Sequence, residues 1–444
     1  GGAAGGAGGK AVKGPVEAAD STAVIGLHLG ATAGAVAVWA DPHGAGAGGD
    51  GGDGGGSGSG RPTVIANADG ARTTSSVAVW VHAAAAGGEA RSGTTVMAGD
   101  AAKAIAFRHP ATTVALADAA RLARAAAGAA EARAAAKAAT WPWEVEWPES
   151  EEAEPVIVMT VPPPMSFDDD AGAAPLADEV VRVTPTSVIA LMLGKLKGEA
   201  EAYLGMPARA VLAARATSTP AELSALRAAA AEAGVALVAV IPTHIAAAIA
   251  YGFDDPAQPP PASSPLVATA PRTVLVYDAG GSSVEAAVVS ASPGGVLRTL
   301  ATAVDHTVGG DAFDRCLFDH CAREFARKAR GAKISGARAT TRLLAACEAG
   351  KRALSKSAST AIAIDSLWEG IDFHTSVSRQ RFEDACAPLY GACVKPIAEA
   401  LAAAGLTQAD VTDVVLVGGA SQMPRLQATV AAYVGGGAML HTNV

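Results

Sequence analysis

The sequence predicts a two-lobed α/β protein, and three observations carry that expectation. An apolar strand–glycine turn–strand unit at residues 23–39 (AVIGLHLGATAGAVAVW) recurs at residues 273–289 (TVLVYDAGGSSVEAAVV), 250 residues further on. Aligning Gly30 with Gly280 sets His28 opposite Asp278 and superposes apolar runs on both sides. One supersecondary unit repeated at that distance marks duplicated lobes. Between the two copies, helical periodicity alternates with short apolar strands, the pattern of helices packed on sheets.

Taken in order, residues 1–22 are expected to be disordered, with structure starting near Ala23. The first two apolar runs flank Gly30-Ala31-Thr32-Ala33-Gly34 and read as a tight β-hairpin. Residues 41–61 (DPHGAGAGGDGGDGGGSGSGR) offer no apolar surface to bury and read as a flexible insertion. Strand-like alternation resumes in TVIANADGARTTSSVAVWV around an Asp69-Gly70 turn. The alanine-rich residues 117–139 predict helix, and residues 117–155 together count as a second low-complexity insertion. Within it Trp143, Val145 and Trp147 fall on one strand face, which predicts a small packed hairpin rather than a ligand platform. Residues 184–204 and 220–234 predict helices, each followed by an apolar strand. The proline-rich residues 255–271 mark the break between lobes. Beyond it, residues 311–331, 337–355 and 379–404 predict helices, and residues 412–434 predict a strand, a glycine turn and a helix.

Composition narrows the function classes. Alanine inflates a hydrophobic content of 50% while aromatics supply only 4%, so part of the length, including 50 glycines in tracts, is filler. A net charge of -9 disfavours a nucleic-acid-binding module and direct DNA contact. The best basic strip, residues 323–333 (REFARKARGAK), reads as a solvated helix face. No apolar run approaches the ~18–20 residues of a membrane span, and the N-terminal residues lack the apolar core of a secretory signal. Five cysteines (Cys316, Cys321, Cys347, Cys386, Cys393), odd in number and without Cys-x-x-Cys spacing, read as reduced, mostly buried thiols of a cytoplasmic protein. The chain starts Gly1-Gly2 without a methionine, so an upstream N-terminus is expected.

Three glycine turns follow apolar strands: Gly30, Gly280-Gly281 and Gly418-Gly419. Without a Cβ, such turns let backbone N–H groups close around a phosphate. One such turn is commonplace; two matched hairpins plus a third strand–glycine–helix unit point together to a phosphate-binding cleft. Residues 347–355 (CEAGKRALS) add a second constellation, because on a helix Glu348, Lys351, Arg352 and Ser355 share one face. Carboxylate and hydroxyl can then hydrogen-bond sugar hydroxyls while cationic stems pack on a purine. The same spacing also suits a solvent-facing helix laced by its own ion pairs, and spacing alone leaves both readings open.

VIGLHLGAT, GDAAKAI, AAAIAYG, VYDAGGSS, VGGDAFD, CEAGKRALS, IDSLWEGIDF, RFEDAC and VVLVGGASQMP stand in this order along the chain. The ordered set resembles the nucleotide-binding domain of the 70-kDa heat-shock (DnaK-type) chaperone family. The resemblance implies the actin-like ATPase fold, with duplicated ribonuclease-H-like sheets and a cleft that takes ATP or ADP with Mg2+. It implies lobe I over residues 23–254, a linker or insertion at 255–271, and lobe II over 272–444 with a helical subdomain at about 311–404. Carried over by position, Lys103 matches the family's catalytic lysine, and Asp278 the acidic residue of the second phosphate loop, which would hold the metal through water. Glu348, Lys351, Arg352 and Ser355 match the adenosine-binding helix. Gly30, Ala31, Thr32, Gly280, Gly281, Ser282, Gly309, Gly310, Gly418 and Gly419 fall in the backbone cradles.

The departures from the family pattern gather on catalysis. His28 stands in place of the first loop's aspartate, Ala31 in place of a hydroxyl, and Thr243 in place of a glutamate. Ser282 and Glu285 replace a glycine and an aspartate; Ala420 and Gln422 replace a serine and an arginine. Magnesium prefers oxygen-rich acidic shells, and losing a group that positions water or charge lowers a rate on the order of 10²–10³-fold. Nucleotide binding is expected to persist while hydrolysis becomes weak or absent. The GLHLG first loop and these losses are similar to the atypical, ribosome-associated branch of the family. That similarity implies a cytoplasmic cochaperone acting with a J-domain protein at the ribosome on nascent chains, with no membrane contact. The chain stops at Val444, short of the family's closing helices and peptide-binding domain, so a C-terminal truncation is expected. The alternative is an ordinary ATP-hydrolysing chaperone domain. A sugar or acetate kinase of the same fold would need a catalytic carboxylate facing a small-substrate pocket, and a module without nucleotide is the remaining rival.

Overall fold

The computed structural model describes residues 22–40, 61–82, 94–126, 130–139, 141–150, 153–163, 177–256 and 271–442. Residues 1–21 of the expected disordered segment, 41–60 of the expected insertion and 257–270 of the proline-rich break lie outside the described residues.

Buried Ile25 and Leu27 alternate with exposed Val24, Gly26 and His28, so the strand Ala23–Leu29 has one covered face. It pairs antiparallel with Ala33–Ala40 and parallel with Ala208–Ala214. Ala236–Pro242 extends the parallel side, and Arg61–Val64 adds to the hairpin side. Helix Pro185–Leu204 covers the inner face, packing Met192, Leu193 and Leu196 against Ile25, Leu27, Val36 and Val38. Its ends are written in the sequence. Thr184 Oγ1 accepts the Ser187 N–H at 3.1 Å, Pro185 occupies the first turn, and Gly205 closes the helix at φ 68°.

Lobe II repeats this arrangement. Arg272–Ala279 pairs antiparallel with Val284–Ala291 and parallel with Asp413–Val417. Met439–His441 extends the parallel side, and Leu297–Asp305 the hairpin side. Each sheet is thus a hairpin flanked by two parallel strands on one side and an antiparallel strand on the other. Two sheets of one topology in a single chain form the actin-like fold that the sequence predicts.

The sheets differ in their cover. In lobe II's sheet the three central strands, Arg272–Ala279, Val284–Ala291 and Asp413–Val417, are buried on both faces. Leu275, Tyr277, Val284 and Val288 join the core beneath helix Lys395–Ala404, with the Tyr277 hydroxyl donating to the Cys393 carbonyl at 3.1 Å, while Val274, Val276, Ala287 and Val289 receive Ala247, Ala248 and Phe253. Ala247 and Ala248 come from helix Thr243–Ala250, which leaves the last strand of lobe I and crosses onto lobe II. Arg272 stacks 4.4 Å over Phe253 and pairs bidentately with buried Asp413, which also meets His441 Nε2 at 2.9 Å.

Residues 117–155 are more than filler. Helix Leu116–Ala126 brings Ala119, Leu122 and Ala125, helix Ala130–Ala138 brings Ala136, and Trp143 just ahead of the strand Glu144–Glu146 joins them in a core with Trp80, Ile157 and Met159. Alanine permits close helix approach there, and Trp143 Nε1 donates to the Thr113 carbonyl at 2.9 Å. Residues 379–404 are helical as expected, in three pieces: Arg379–Ala385, Ala387–Cys393 and Lys395–Ala404. Pro388 and Pro396 cause the breaks, since proline fits a helix's first turn and not its interior. All five cysteines are free thiols, four of them buried. No described helix is long and apolar enough to cross a membrane.

Candidate functional site: a glycine-lined cleft between two lobes

The two hairpin turns share a backbone hydrogen bond. Gly30 N–H donates to the Ala33 carbonyl at 3.2 Å, and Gly280 N–H to the Ser283 carbonyl at 3.0 Å. Ala31 and Ser282 sit half-buried within these turns. Ser76 pins the first turn, its Oγ donating to Gly30 O at 2.8 Å and its N–H to Thr32 O at 3.0 Å. The second turn is pinned by the start of helix Gly310–Lys328, where Gly310 and Asp311 N–H donate to Gly280 O and Gly281 O at 2.9 and 2.8 Å.

Glycine is required where these backbones meet. A Cβ on Gly281 would stand 2.2 Å from Thr32 Cγ2, so the loops of opposite lobes touch. A Cβ on Gly309 would stand 2.5 Å from Gly281 O and 2.7 Å from Ser283 N, a clash of backbone with backbone. Gly418 has φ 85°, and its Cβ would lie 2.4 Å from Asp278 Oδ1. Gly419 opens the short turn Gly419–Gln422 that carries Ala420 and Gln422.

His28 and Asp278 occupy matching positions in the two hairpins. His28 pairs with Ala35 and Ala213, and Asp278 with Glu285 and Val417. His28 is exposed, with Nε2 beside the Gly30 turn. Burial lifts the Asp278 carboxyl, against the downward pull of His28 and then Arg215. Glu285 is buried more deeply. Burial and then Asp278 push its carboxyl up to about 7, although Oε1 accepts the Ala216 N–H from lobe I at 3.1 Å. Its Oε2 has no partner among the described residues. Thr243 begins the crossing helix, behind Pro242.

Lys103, on helix Asp100–Ile105, reaches across the cleft to Glu348 Oε2 at 2.7 Å. Glu348 also meets Arg352 at 2.8 Å, four residues along its own helix. Burial alone would raise Glu348; Lys103, then Arg352 and Lys351, outweigh it and hold the carboxylate low. Lys351 turns inward, donating to Asp314 at 2.7 Å and to Gly310 O at 2.9 Å, so it anchors a glycine cradle. Asp311 beside it is pushed up to about 6 by burial and then Asp314. Ser355 caps the helix, its Oγ 3.4 Å from Lys351 O, beside a shallow crevice lined by Arg379, Phe382, Met423 and Arg425.

The structure therefore brings together the glycine turns, Asp278, Lys103 and the 348–355 face around one cleft. Sequence reasoning missed Ser76, Asp314 and the Ala216–Glu285 contact, each a single long-range pairing without periodicity. The glycine turns gather backbone N–H groups of the kind that hold phosphate, and Glu348 beside them is paired with Lys103 and Arg352.

A family profile described as Hsp70 protein matches residues 24–443. The chain is similar to a heat shock 70 kDa protein of Emericella nidulans, 32% identical over 410 residues, 92% of this chain and 54% of the relative. It is 31% identical over 404 residues to heat shock cognate 70 kDa protein 3 of Dictyostelium discoideum, covering 91% of this chain and 55% of that one. It is 33% identical over 368 residues to putative heat shock 70 kDa protein 7 of Homo sapiens, covering 82% and 88%. Against the first relatives matched, it spans 38% to 54% of their length. With the duplicated sheets and the glycine-lined cleft, these likenesses fix the assignment: the chain belongs to the Hsp70 family.

Proposed function

We propose that the chain is a chaperone component that binds ATP or ADP in the interlobe cleft and hydrolyses ATP slowly or not at all. One observation carries this reading. The backbone cradles and Glu348 are kept, while the first hairpin presents His28 where the second presents Asp278. ATP would lie along Gly280-Gly281, Gly309-Gly310 and Gly418-Gly419, with Arg352 and Ser355 toward the base. Asp278 is the residue suited to hold Mg2+ through water; His28 and Thr243 add no carboxylate, so the metal site is weakened. Lys103, freed from Glu348, would be a cation available to a phosphate. Magnesium supplies charge neutralisation to phosphoryl transfer when bound; what this chain lacks are two of the groups that orient metal and water.

The reading extends to a cytoplasmic, ribosome-associated cochaperone that works with a J-domain protein on nascent chains, supported by the GLHLG loop and the degraded positions. Ribosome co-sedimentation and J-domain pull-down test it, and absence from both overturns that branch.

The hydrolysis reading is decided by single-turnover turnover of saturating Mg·ATP. The expected rate is on the order of 10²–10³-fold below that of active Hsp70 proteins. A rate matching them, abolished by Lys103→Ala, establishes the second reading, an ordinary ATP-hydrolysing domain. Asp278 and Glu285, two carboxyls side by side on the second hairpin, are what favour that second reading.

A further inference from the structure

Two arginines of lobe I converge where the lobes meet. Arg124 extends from helix Leu116–Ala126, and Arg215 follows the strand Ala208–Ala214 that runs beside His28. Both approach a single oxygen, Glu222 Oε1, at 3.9 and 3.6 Å. The other oxygen, Oε2, is occupied by its own helix cap, accepting the Thr219 N–H at 2.8 Å. One carboxylate thus faces two guanidiniums, and Arg215 also lies within electrostatic reach of the Asp278 and Glu285 carboxyls beside the Gly280-Gly281 turn. His306 of lobe II adds no further charge to the arginine pair. Arg124 Nη1 lies 3.0 Å from its Nδ1, and burial, then Arg124 and Arg215, push the imidazole down to about 4, so the ring is neutral at pH 7.

The cluster stands at the phosphate loops. His306 precedes Gly309-Gly310 by three residues. Ala216, next to Arg215, hydrogen-bonds Glu285 across the cleft, and Glu285 lies opposite Asp278 at the Gly280-Gly281 turn. A guanidinium stays charged and offers phosphate oxygens a planar fork. From this geometry we infer that Arg215, with Arg124 behind it, takes the terminal phosphate of ATP, so that ATP binding by this chain does not depend on magnesium. The inference rests on the nucleotide reading above, and goes further in naming the group that meets the terminal phosphate.

Calorimetric titration of the full chain with ATP and with ADP, in excess magnesium and in excess EDTA, tests it. The unmodified chain should lose less than about tenfold in ATP affinity on passing from magnesium to EDTA. Arg215→Gln should weaken ATP in EDTA by about tenfold or more, the worth of a charge-assisted hydrogen bond. ADP should change much less than ATP, and Arg215→Lys should recover part of the loss. A fall of more than about tenfold for the unmodified chain in EDTA overturns the inference. So does an Arg215→Gln variant that shifts ATP and ADP alike. If Arg215→Gln does not fold, the EDTA comparison on the unmodified chain decides alone. A chain that binds neither nucleotide in magnesium overturns the nucleotide reading, and this inference with it.

Discussion

Lys103 and Glu348 join opposite lobes at 2.7 Å, yet their side chains remain 37% and 22% exposed. A pair so open to solvent contributes at most about 1 kcal/mol. Lys103→Ala should therefore shift a urea unfolding curve by no more than that, while removing whatever hydrolysis the chain retains. Glu285 behaves differently because it is buried. Its folded carboxyl keeps a proton up to about 7 whereas the unfolded one loses it near 4.5, so its contribution to stability falls as pH rises through that window. His244 opposes it: burial pushes the ring down to about 4, so acidification from about 6.5 favours the unfolded chain. Glu285→Gln should leave the His244 slope exposed, and thermal melting between pH 4.5 and 7 should show stability rising more steeply with pH than in the unmodified chain. The His28–Asp278 correspondence was legible in the sequence, because strand periodicity and a shared glycine turn fix the register. The Arg124–Glu222–Arg215 cluster was not, since three distant residues meeting at one point leave no pattern.

Among elements, helix Pro220–Glu232 is held by a capping box in which Thr219 and Glu222 bond each other's backbone. Thr219→Ala should cost about 1 kcal/mol in chemical unfolding. The clamp of Arg272 on Asp413 should matter more. Burial would raise that carboxyl, but Arg272, His441 and Thr412 hold it ionised at 1% exposure. Arg272→Ala leaves a buried charge short of its main partner and should cost about 3–5 kcal/mol. Helix Pro185–Leu204 was readable from its caps and periodicity. The helical character of 379–404 was readable too, but its division into three was not, because the apolar pattern runs on through prolines that start new helices. Alanine misled over 117–155: the residue that fills low-complexity tracts is also the one that lets helices pack closely.

At the scale of the molecule, a ligand that bridges both lobes stabilises the folded state by mass action. ATP at a hundred times its dissociation constant should add about 2.7 kcal/mol, visible as a thermal shift that grows with concentration and is blunted by Gly309→Ala. The duplicated hairpins announced two lobes because both copies kept their turn. The exchange of a helix between lobes was invisible, since an apolar helix does not say which sheet it will cover. That exchange has a practical consequence. Helix Thr243–Ala250 is joined to lobe I through the chain but packs on lobe II through Ala247 and Ala248. A polypeptide severed within residues 257–270 should therefore stay in one piece on gel filtration, its halves clasped without a covalent bond. Expressed apart, the N-terminal fragment carries an uncovered apolar helix and should aggregate until its complement is supplied.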